Sequence, residues 1–481
     1  MHSRCLFGLA FSIALCGCAN TGEDTARANA VSAAQLQLAE NSTAAWPASD
    51  WWLTYNDAQL NELISKAQHG SPSLRIAQAR VELARSSAQG TRAANQPAVD
   101  LNADFSRERL SQNDVYPAPL GGSVQNNSRA TLDFSYEFDF WGRQRAILDA
   151  ALAEIEVARA DRSAAEMVLS VAVAQSYFAL QHAFVENQLA TQIANQQNAR
   201  LKLTQLRVQR GLSSGVEIDP LQASAANAQS DVARAQQRID IEKHQLAALC
   251  GLNTDQLPAL AATANATAGN DSEKEWDNLK IVAPETIPAD LLSRRADIVA
   301  QRLLIETETK NIKAAKADFY PNVDLTAFFG VQSVSTGKLF STGSRVWGVG
   351  PALHLPIFNR DALRAQLGSR YASYDLAVEQ YNQSVLDAVR ETADAGSTLQ
   401  ALNAQHASAE TATQALRRAY TTADLRFQRG LGNQLDAINA QINLLNEQRS
   451  LNSVNDAQAQ AKLALIRALG GGYDAAQATK N

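Results

Sequence analysis

Three short stretches of this sequence occur twice, in the same order and at nearly the same spacing. Pro97-Ala98-Val99-Asp100-Leu101-Asn102-Ala103 matches Pro321-Asn322-Val323-Asp324-Leu325-Thr326-Ala327. Phe140-Trp141-Gly142-Arg143 aligns with Ile357-Phe358-Asn359-Arg360, and Arg207-Val208-Gln209-Arg210-Gly211-Leu212 matches Arg426-Phe427-Gln428-Arg429-Gly430-Leu431. The copies lie roughly 220 residues apart, the signature of one supersecondary unit repeated along the chain. The fold must be buildable from two similar halves. Each half reads as short helix, strand, loop, strand, long helix, Gly turn and returning helix.

The helices follow from what is missing. Between Gln144 and Gln209 there is no Pro and no Gly, and a helix of that length would run about 100 Å at 1.5 Å per residue. The second run, Asp361 to Gln428, is interrupted only by Gly368 and Gly396. Returning helices are expected from Val216 to Leu249 and from Gln434 to Leu469. In the last of these Leu435, Ile438, Ile442 and Leu445 have the spacing of a coiled-coil seam. Shorter helices are expected at Ser73 to Ala94 and Asp297 to Asp318. No stretch of the body has the eighteen or so uninterrupted apolar residues of a membrane helix, so a membrane crossing would need strands.

Four segments alternate with the period of a strand. Val99, Leu101, Ala103 and Phe105 oppose Asp100, Asn102, Asp104 and Ser106. Leu132, Phe134, Tyr136, Phe138 and Phe140 oppose Asp133, Ser135, Glu137 and Asp139. Val323, Leu325, Ala327 and Phe329 oppose Asp324 and Thr326, and Trp347, Val349, Leu353, Leu355 and Ile357 share the last face. Turn-rich loops join each pair, Tyr116 to Asn127 and Gly337 to Ser344. Alternation alone fits a membrane barrel with lipid outside and water inside and equally a soluble antiparallel sheet over a core. Aromatic content and the N-terminus favour the barrel. Four strands cannot close, since about eight is the practical minimum, so a barrel must be shared between copies.

The N-terminus reads as a targeting segment: Arg4, then a short apolar run from Leu6 to Leu15, then small residues. Leu15-Cys16-Gly17-Cys18 resembles the lipobox of bacterial lipoproteins, in which the thiol of the last Cys receives a diacylglycerol. The alternative is a plain secretory signal cut near Ala19. Cys5 and Cys16 leave with the signal in the lipoprotein reading. Cys250 is then the one thiol left in the body, a packing residue, with no intramolecular disulfide to form.

Composition excludes other classes. The 481 residues carry a net charge of −6 and 46% hydrophobic residues, without the basic stripe of a nucleic-acid binder. Gly211-Leu212-Ser213-Ser214-Gly215 has the form of a hydrolase nucleophile elbow. The elbow needs a strand before it, whereas a long helix precedes this one, and the second copy has no Ser. The six His residues, His2, His69, His182, His244, His354 and His406, are scattered, and none pair at metal-ligand spacing. Met167 is the one Met after Met1, which argues against a Met-lined copper or silver route. No catalytic residue, metal or cofactor is expected beyond the lipid on Cys18.

These residues together resemble a known family. Trp51-Trp52-Leu53 through Leu60, Leu63 and Ile64, then Ser71-Pro72-Ser73-Leu74-Arg75, is similar to the opening of TolC-like outer-membrane factors, especially the NodT/OprM lipoprotein branch. Leu291-Leu292-Ser293-Arg294-Arg295-Ala296-Asp297-Ile298 resembles a signature of that branch, with Ala296 where Pro is usual. The resemblance implies an α+β membrane protein: a homotrimeric β-barrel with four strands per subunit and twelve in total. A long periplasmic α-helical barrel and an equatorial domain continue it. It implies a passive exit duct in an RND-type tripartite efflux system, with a periplasmic adaptor (membrane fusion protein), an inner-membrane transporter and outer-membrane lipid as partners. It implies adaptor docking at the tips, Arg207, Gly211 and Leu212 with Arg426, Gly430 and Leu431, and an aperture at Leu435, Asp436 and Asn439. Leu435 falls where the branch carries an occluding Leu; otherwise it is a seam residue. Asn439 falls where the branch carries Asp, which weakens the case for a carboxylate ring.

The expected layout is a signal peptide at 1–17, an N-terminal and equatorial segment at 18–70, and repeat 1 at 71–250, with strands at about 98–112 and 124–141 and a hairpin at 144–250. An equatorial belt and linker at 251–290 precedes repeat 2 at 291–470, with strands at about 322–336 and 344–358 and a hairpin at 361–469. A tail at 471–481 ends the chain. Three functions remain open: an efflux duct for small amphipathic compounds such as drugs or toxins, a duct for a secreted polypeptide in a type I system, and a structural lipoprotein without a pore.

Overall fold

The structure, a computed structural model, describes residues 28–39, 46–113, 115, 117–260, 287–356 and 358–474. The expected signal peptide, Cys18, Ile357, residues 261–286 of the expected belt and residues 475–481 of the tail lie outside the described residues. In chain order the elements are α1 (Ala58–Gly70), α2 (Pro72–Ala94), β1 (Ala98–Arg109), β2 (Val124–Phe138), α3 (Arg143–Gln209), α4 (Ile218–Cys250), α5 (Leu291–Arg294), α6 (Ala296–Ala317), β3 (Asn322–Ser333), β4 (Arg345–His354), α7 (Arg360–Gln428) and α8 (Gln434–Ala468). The chain divides into two compact units. One holds Arg80–Ala158 and Ala300–Tyr381 with residues up to Ala30; the other holds Val31–Ala79, Arg159–Val299 and Asn382–Asn481.

The first unit is built on one antiparallel sheet in the order β1-β2-β3-β4. The middle pairing, β2 with β3, joins the two repeats. The Phe-Trp-Gly-Arg motif reinforces that joint. The Trp141 ring stacks on Tyr320, with centroids 4.6 Å apart, and its Nε1–H donates to the Pro321 carbonyl at 2.9 Å. Arg143 pairs with Asp318 and, at 3.8 Å, with Glu137. Strand β2 stops at Phe138 because Asp139 turns to cap α3. Its carboxylate accepts from the Gln144 and Arg145 amides at 3.1 and 2.8 Å, satisfying donors that a helix start leaves free. Gly142 supplies the left-handed φ of +74° that this turn needs. Ile312, Ala315 and Phe319, at the end of α6 ahead of β3, bury against Leu367 and Tyr371 of α7.

The second unit carries the main core. Trp51, Tyr55, Leu60, Leu63 and Ile64 pack against Tyr177, Phe178 and Leu180 of α3, Leu246 and Cys250 of α4, and Leu463 and Ile466 of α8. Part of α3 is long and apolar enough to cross a membrane, but 61% of that stretch is buried inside the chain, so it is a core helix. Asp57 caps α1 by accepting from the Gln59 and Leu60 amides. Its other oxygen accepts from the Tyr177 hydroxyl at 2.6 Å. The ends of α1 and α4 approach so closely that a Cβ on Gly70 would lie 2.4 Å from the Cys250 carbonyl oxygen. Cys250 itself is buried, with its thiol directed at the Leu63 carbonyl.

Arg295, from the Leu-Leu-Ser-Arg-Arg stretch, is nearly buried. It grips Asp297 with two nitrogens, at 3.1 and 2.7 Å, and Glu391 at 2.9 Å, and it donates to the Ala468 carbonyl at 3.3 Å. Burial alone would lower the basicity of its guanidinium. The hydrogen bonds and charges of the two carboxylates outweigh that and raise it. Charge-assisted hydrogen bonds of this kind contribute about 1.5–3 kcal/mol each when one partner is removed. Arg295→Met is therefore expected to lower the thermal unfolding temperature clearly, and an unchanged melt in calorimetry would show that the grip is dispensable.

Candidate functional site

Strand register decides which side chains share a face. Leu101 lies opposite Leu132, Leu132 opposite Phe329, and Phe329 opposite Trp347. The next such row is Val99, Phe134, Ala327 and Val349. The apolar residues of all four strands thus merge into one continuous surface. Among the described residues of the unit nothing covers these rows: Leu101 is 72% exposed, Phe329 59% and Trp347 73%. A soluble sheet over a core would bury this face, so that alternative fails.

The opposite face is polar. Asp133 accepts from Asn102 at 2.7 Å and from Thr131 at 3.0 Å. Asp100, Asp104, Glu137 and Asp324 share this side. Arg129 lies there too, over the Phe328 ring at 5.7 Å. Carboxylates outnumber cations on this face.

The two Gly turns are built alike. At the end of α3 the Leu212 amide donates to the Arg207 carbonyl at 2.8 Å and the Gly211 amide to the Val208 carbonyl at 2.9 Å. At the end of α7 the Leu431 amide donates to Arg426 at 2.8 Å and the Gly430 amide to Phe427 at 2.9 Å. Both are Schellman caps, with glycine at φ +73° and +70°. Each cap leaves its following leucine bare, Leu212 at 66% and Leu431 at 76% exposure. The returns differ: Ser214 receives the Val216 amide at a single 3-10 turn, Gly215–Glu217, that leads into α4, whereas Asn433 receives the Leu435 amide at the start of α8 itself.

Leu435 sits half-buried in the first turn of α8 and Asp436 is exposed beside it. Asn439 is half-buried, and its Oδ1 is buried without a hydrogen-bond partner. Ile438, Ile442 and Leu445 are buried. Leu445 packs with Ile193 and Ala194 of α3 and Ala228 of α4.

Sequence reading did not single out the polar ladder between α3 and α8. Gln460 donates to the Gln175 carbonyl, Asn452 pairs with His182, and Arg449 donates to Glu186 at 2.8 Å. Numbers fall along α3 as they rise along α8, so the helices run antiparallel in fixed register. Arg449 also reaches Asp231 of α4 at 3.2 Å, pinning three helices beside a cleft of about 460 Å³. The partners lie 263 and 218 residues away in sequence, and no local signal marks them. Among the described residues no cluster of His, Cys, Asp and Glu could hold a metal ion.

A strand sheet with one uncovered apolar face and one acidic face, joined to long helical hairpins, defines a β-strand membrane protein of the outer-membrane channel class. The chain belongs to the outer membrane efflux protein family, which matches residues 63–252 and 287–471. It is 30% identical over 471 residues to the multidrug resistance outer membrane protein MdtP of Escherichia coli, covering 96% of this chain and 94% of that one. It is 34% identical over 376 residues to the fusaric acid resistance protein FusA of Burkholderia cepacia, covering 76% and 68%. The crystal structure of the outer membrane protein VceC from Vibrio cholerae superposes with a TM-score of 0.76 at 33% identity, covering 89% of this chain and all of that one.

The caps make a local prediction. An alanine at a left-handed φ costs about 1–2 kcal/mol, so Gly211→Ala and Gly430→Ala should each speed amide exchange at Leu212 and Leu431 respectively. Unaltered protection would mean the turns are held by something other than the glycine caps.

Proposed function

We propose that this chain is one third of an outer-membrane exit duct: a homotrimer whose twelve strands, four per subunit, close a barrel that the helical hairpins continue into the periplasm. The observation that carries the reading is the open sheet. Its apolar face is uncovered, and β1 and β4 each have a free edge, an arrangement that lipid does not tolerate unless other copies complete the ring. The stagger along the sheet supports closure. Arg345, the first residue of β4, lines up through Val331 and Ala130 with Ala103, well short of the end of β1 at Arg109. Successive strands are displaced as the tilt of a barrel requires.

Lipidation at Cys18 fits the geometry. The Ala28 amide donates to Asp375 at 3.0 Å. Asp375 lies about 15 residues into α7, roughly 22 Å from its strand-side start. The ten or so residues back to Cys18 reach about 33 Å when extended, enough to regain the strand end and hence the membrane.

In this reading the bare leucines of the two tips, Leu212 and Leu431, with half-buried Arg207 and exposed Arg426, dock a periplasmic adaptor that connects to an inner-membrane transporter of the RND type. Leu435, Asp436 and Asn439 form the aperture, where an apolar ring bars ions by dewetting and carboxylates favour cations. The duct performs no chemistry; the transporter supplies the energy. The names of MdtP and FusA support small amphipathic toxins as cargo. Deletion of the gene should cause drug hypersensitivity. Lost secretion of a polypeptide would point to a type I system, and envelope-shape defects alone to a structural lipoprotein.

In planar bilayers, Leu435→Ala alone and with Asn439→Ala should raise conductance severalfold, as widening a dewetted constriction does. Conductance unchanged in both variants would remove the aperture from this position.

A further inference from the structure

The apolar face of the sheet changes character at the loop end of the strands. Arg107 and Arg109 close β1 on the face of Leu101 and Phe105, since residues two apart share a side. Arg345 opens β4 on the face of Trp347 and Val349. β1 ends and β4 begins at the same end of the sheet, so the three guanidinium groups rim one margin of the apolar surface. The other margin, nearer the helices, carries Tyr136 and Phe138.

All three arginines are exposed. None forms an ion pair with a carboxylate among the described residues; Arg109 donates only to the Gly122 carbonyl, at 3.3 Å. Glu108, their neighbour in sequence, points to the opposite face by strand alternation. Among the described residues of loops 110–123 and 334–344, the one charged side chain is Lys338, also a cation. Asp114 is the one acidic residue in these loop sequences and lies outside the described residues. The chain as a whole is net acidic at −6, so a cationic margin on its lipid-facing side is a local departure.

We propose that this margin is a binding site for the phosphate-bearing headgroup of an outer-leaflet lipid. The inference rests on the barrel reading, which directs the loop end away from the periplasm and the apolar face to the acyl chains. An arginine at that depth extends its stem along apolar surface and places its head among the headgroups. The planar guanidinium matches a phosphate with two parallel hydrogen bonds. A soluble anion would use the arginines alone. A lipid uses the arginines and the apolar surface next to them, and the sheet presents both side by side. On β1 and β4, the edges that meet at the proposed subunit seams, Arg107, Arg109 and Arg345 bring cations from neighbouring copies together, so one lipid could bridge two subunits.

The test uses the purified full-length protein and two probes, diphosphoryl lipid A and the same lipid A enzymatically stripped of phosphate. Lipid retained by the assembly is counted by native mass spectrometry, and oligomer mass and planar-bilayer conductance are recorded on the same preparation. Wild type should retain the phosphorylated form about fivefold or more over the stripped form, as surface arginines near anionic headgroups require. R107Q/R109Q/R345Q should lose that preference while still conducting, and R107K/R109K/R345K should keep most of it. A conducting wild-type oligomer without phosphate preference overturns the proposal, as does a glutamine variant that retains the preference. Should the glutamine variant fail to assemble, wild type against the two probes decides alone. A wild type that prefers phosphate but neither oligomerises nor conducts would instead count against the barrel.

Discussion

A backbone N–H or C=O left without a partner in hydrocarbon costs several kcal/mol, and among the described residues two rows of them, at the sheet edges, are free. Strands β1 and β4 bound the sheet on either side, and the surface they flank is apolar and bare. In water such a surface would aggregate. In lipid the surface is satisfied but the edges are not. Both demands are met when the last strand of one copy pairs with the first strand of the next. Under the proposed shared barrel, much of the remaining architecture follows. The two halves repeat because each supplies one antiparallel pair. The Trp141–Tyr320 stack and the Arg143–Asp318 pair hold the halves at the β2–β3 joint, where a slip of one residue would turn every apolar side chain toward the polar face.

The helices answer a different requirement. They bear long polar faces and bury only narrow seams, so their register needs more than apolar contact to hold it. The ladder of Gln175–Gln460, His182–Asn452 and Glu186–Arg449 supplies it. Such contacts are directional, whereas seams of alanine and leucine could slide by a turn at small cost. Arg449 ties in α4 through Asp231, and Arg295 closes the end of α8 through the Ala468 carbonyl. Below that ladder, Leu445 keeps α8 against α3 and α4, while Leu435 and Asp436 remain partly or fully exposed.

Local patterns made much of this legible in the sequence. Alternation marked the four strands, the absence of Pro and Gly marked α3, and the repeated Arg-Gly-Leu turns marked two Schellman caps that share their hydrogen bonds atom for atom. What escaped was whatever depends on residues distant in the chain. No periodicity shows that Leu101, Leu132, Phe329 and Trp347 form one row, because that depends on register between strands. Nothing local sets Arg449 apart from other helix arginines, since both of its partners sit more than two hundred residues away. The end of β2 came earlier than alternation suggests because Asp139, read as a strand residue, caps α3 instead. Asn439 belongs to both groups. Its substitution for an expected carboxylate was visible in the sequence, but its buried, unpartnered amide oxygen was not.

Closure of the sheet by other copies is reported directly by its strand edges. Amide hydrogen exchange in the bilayer-inserted protein, resolved to single residues, compares the outward-directed N–H groups of β1 and β4 with those of β2 and β3. In a shared barrel all four strands are protected alike, because β4 of each copy pairs with β1 of the next. Fast exchange along β1 and β4 beside protected β2 and β3 would mean that the sheet stays open, and the shared barrel would be contradicted.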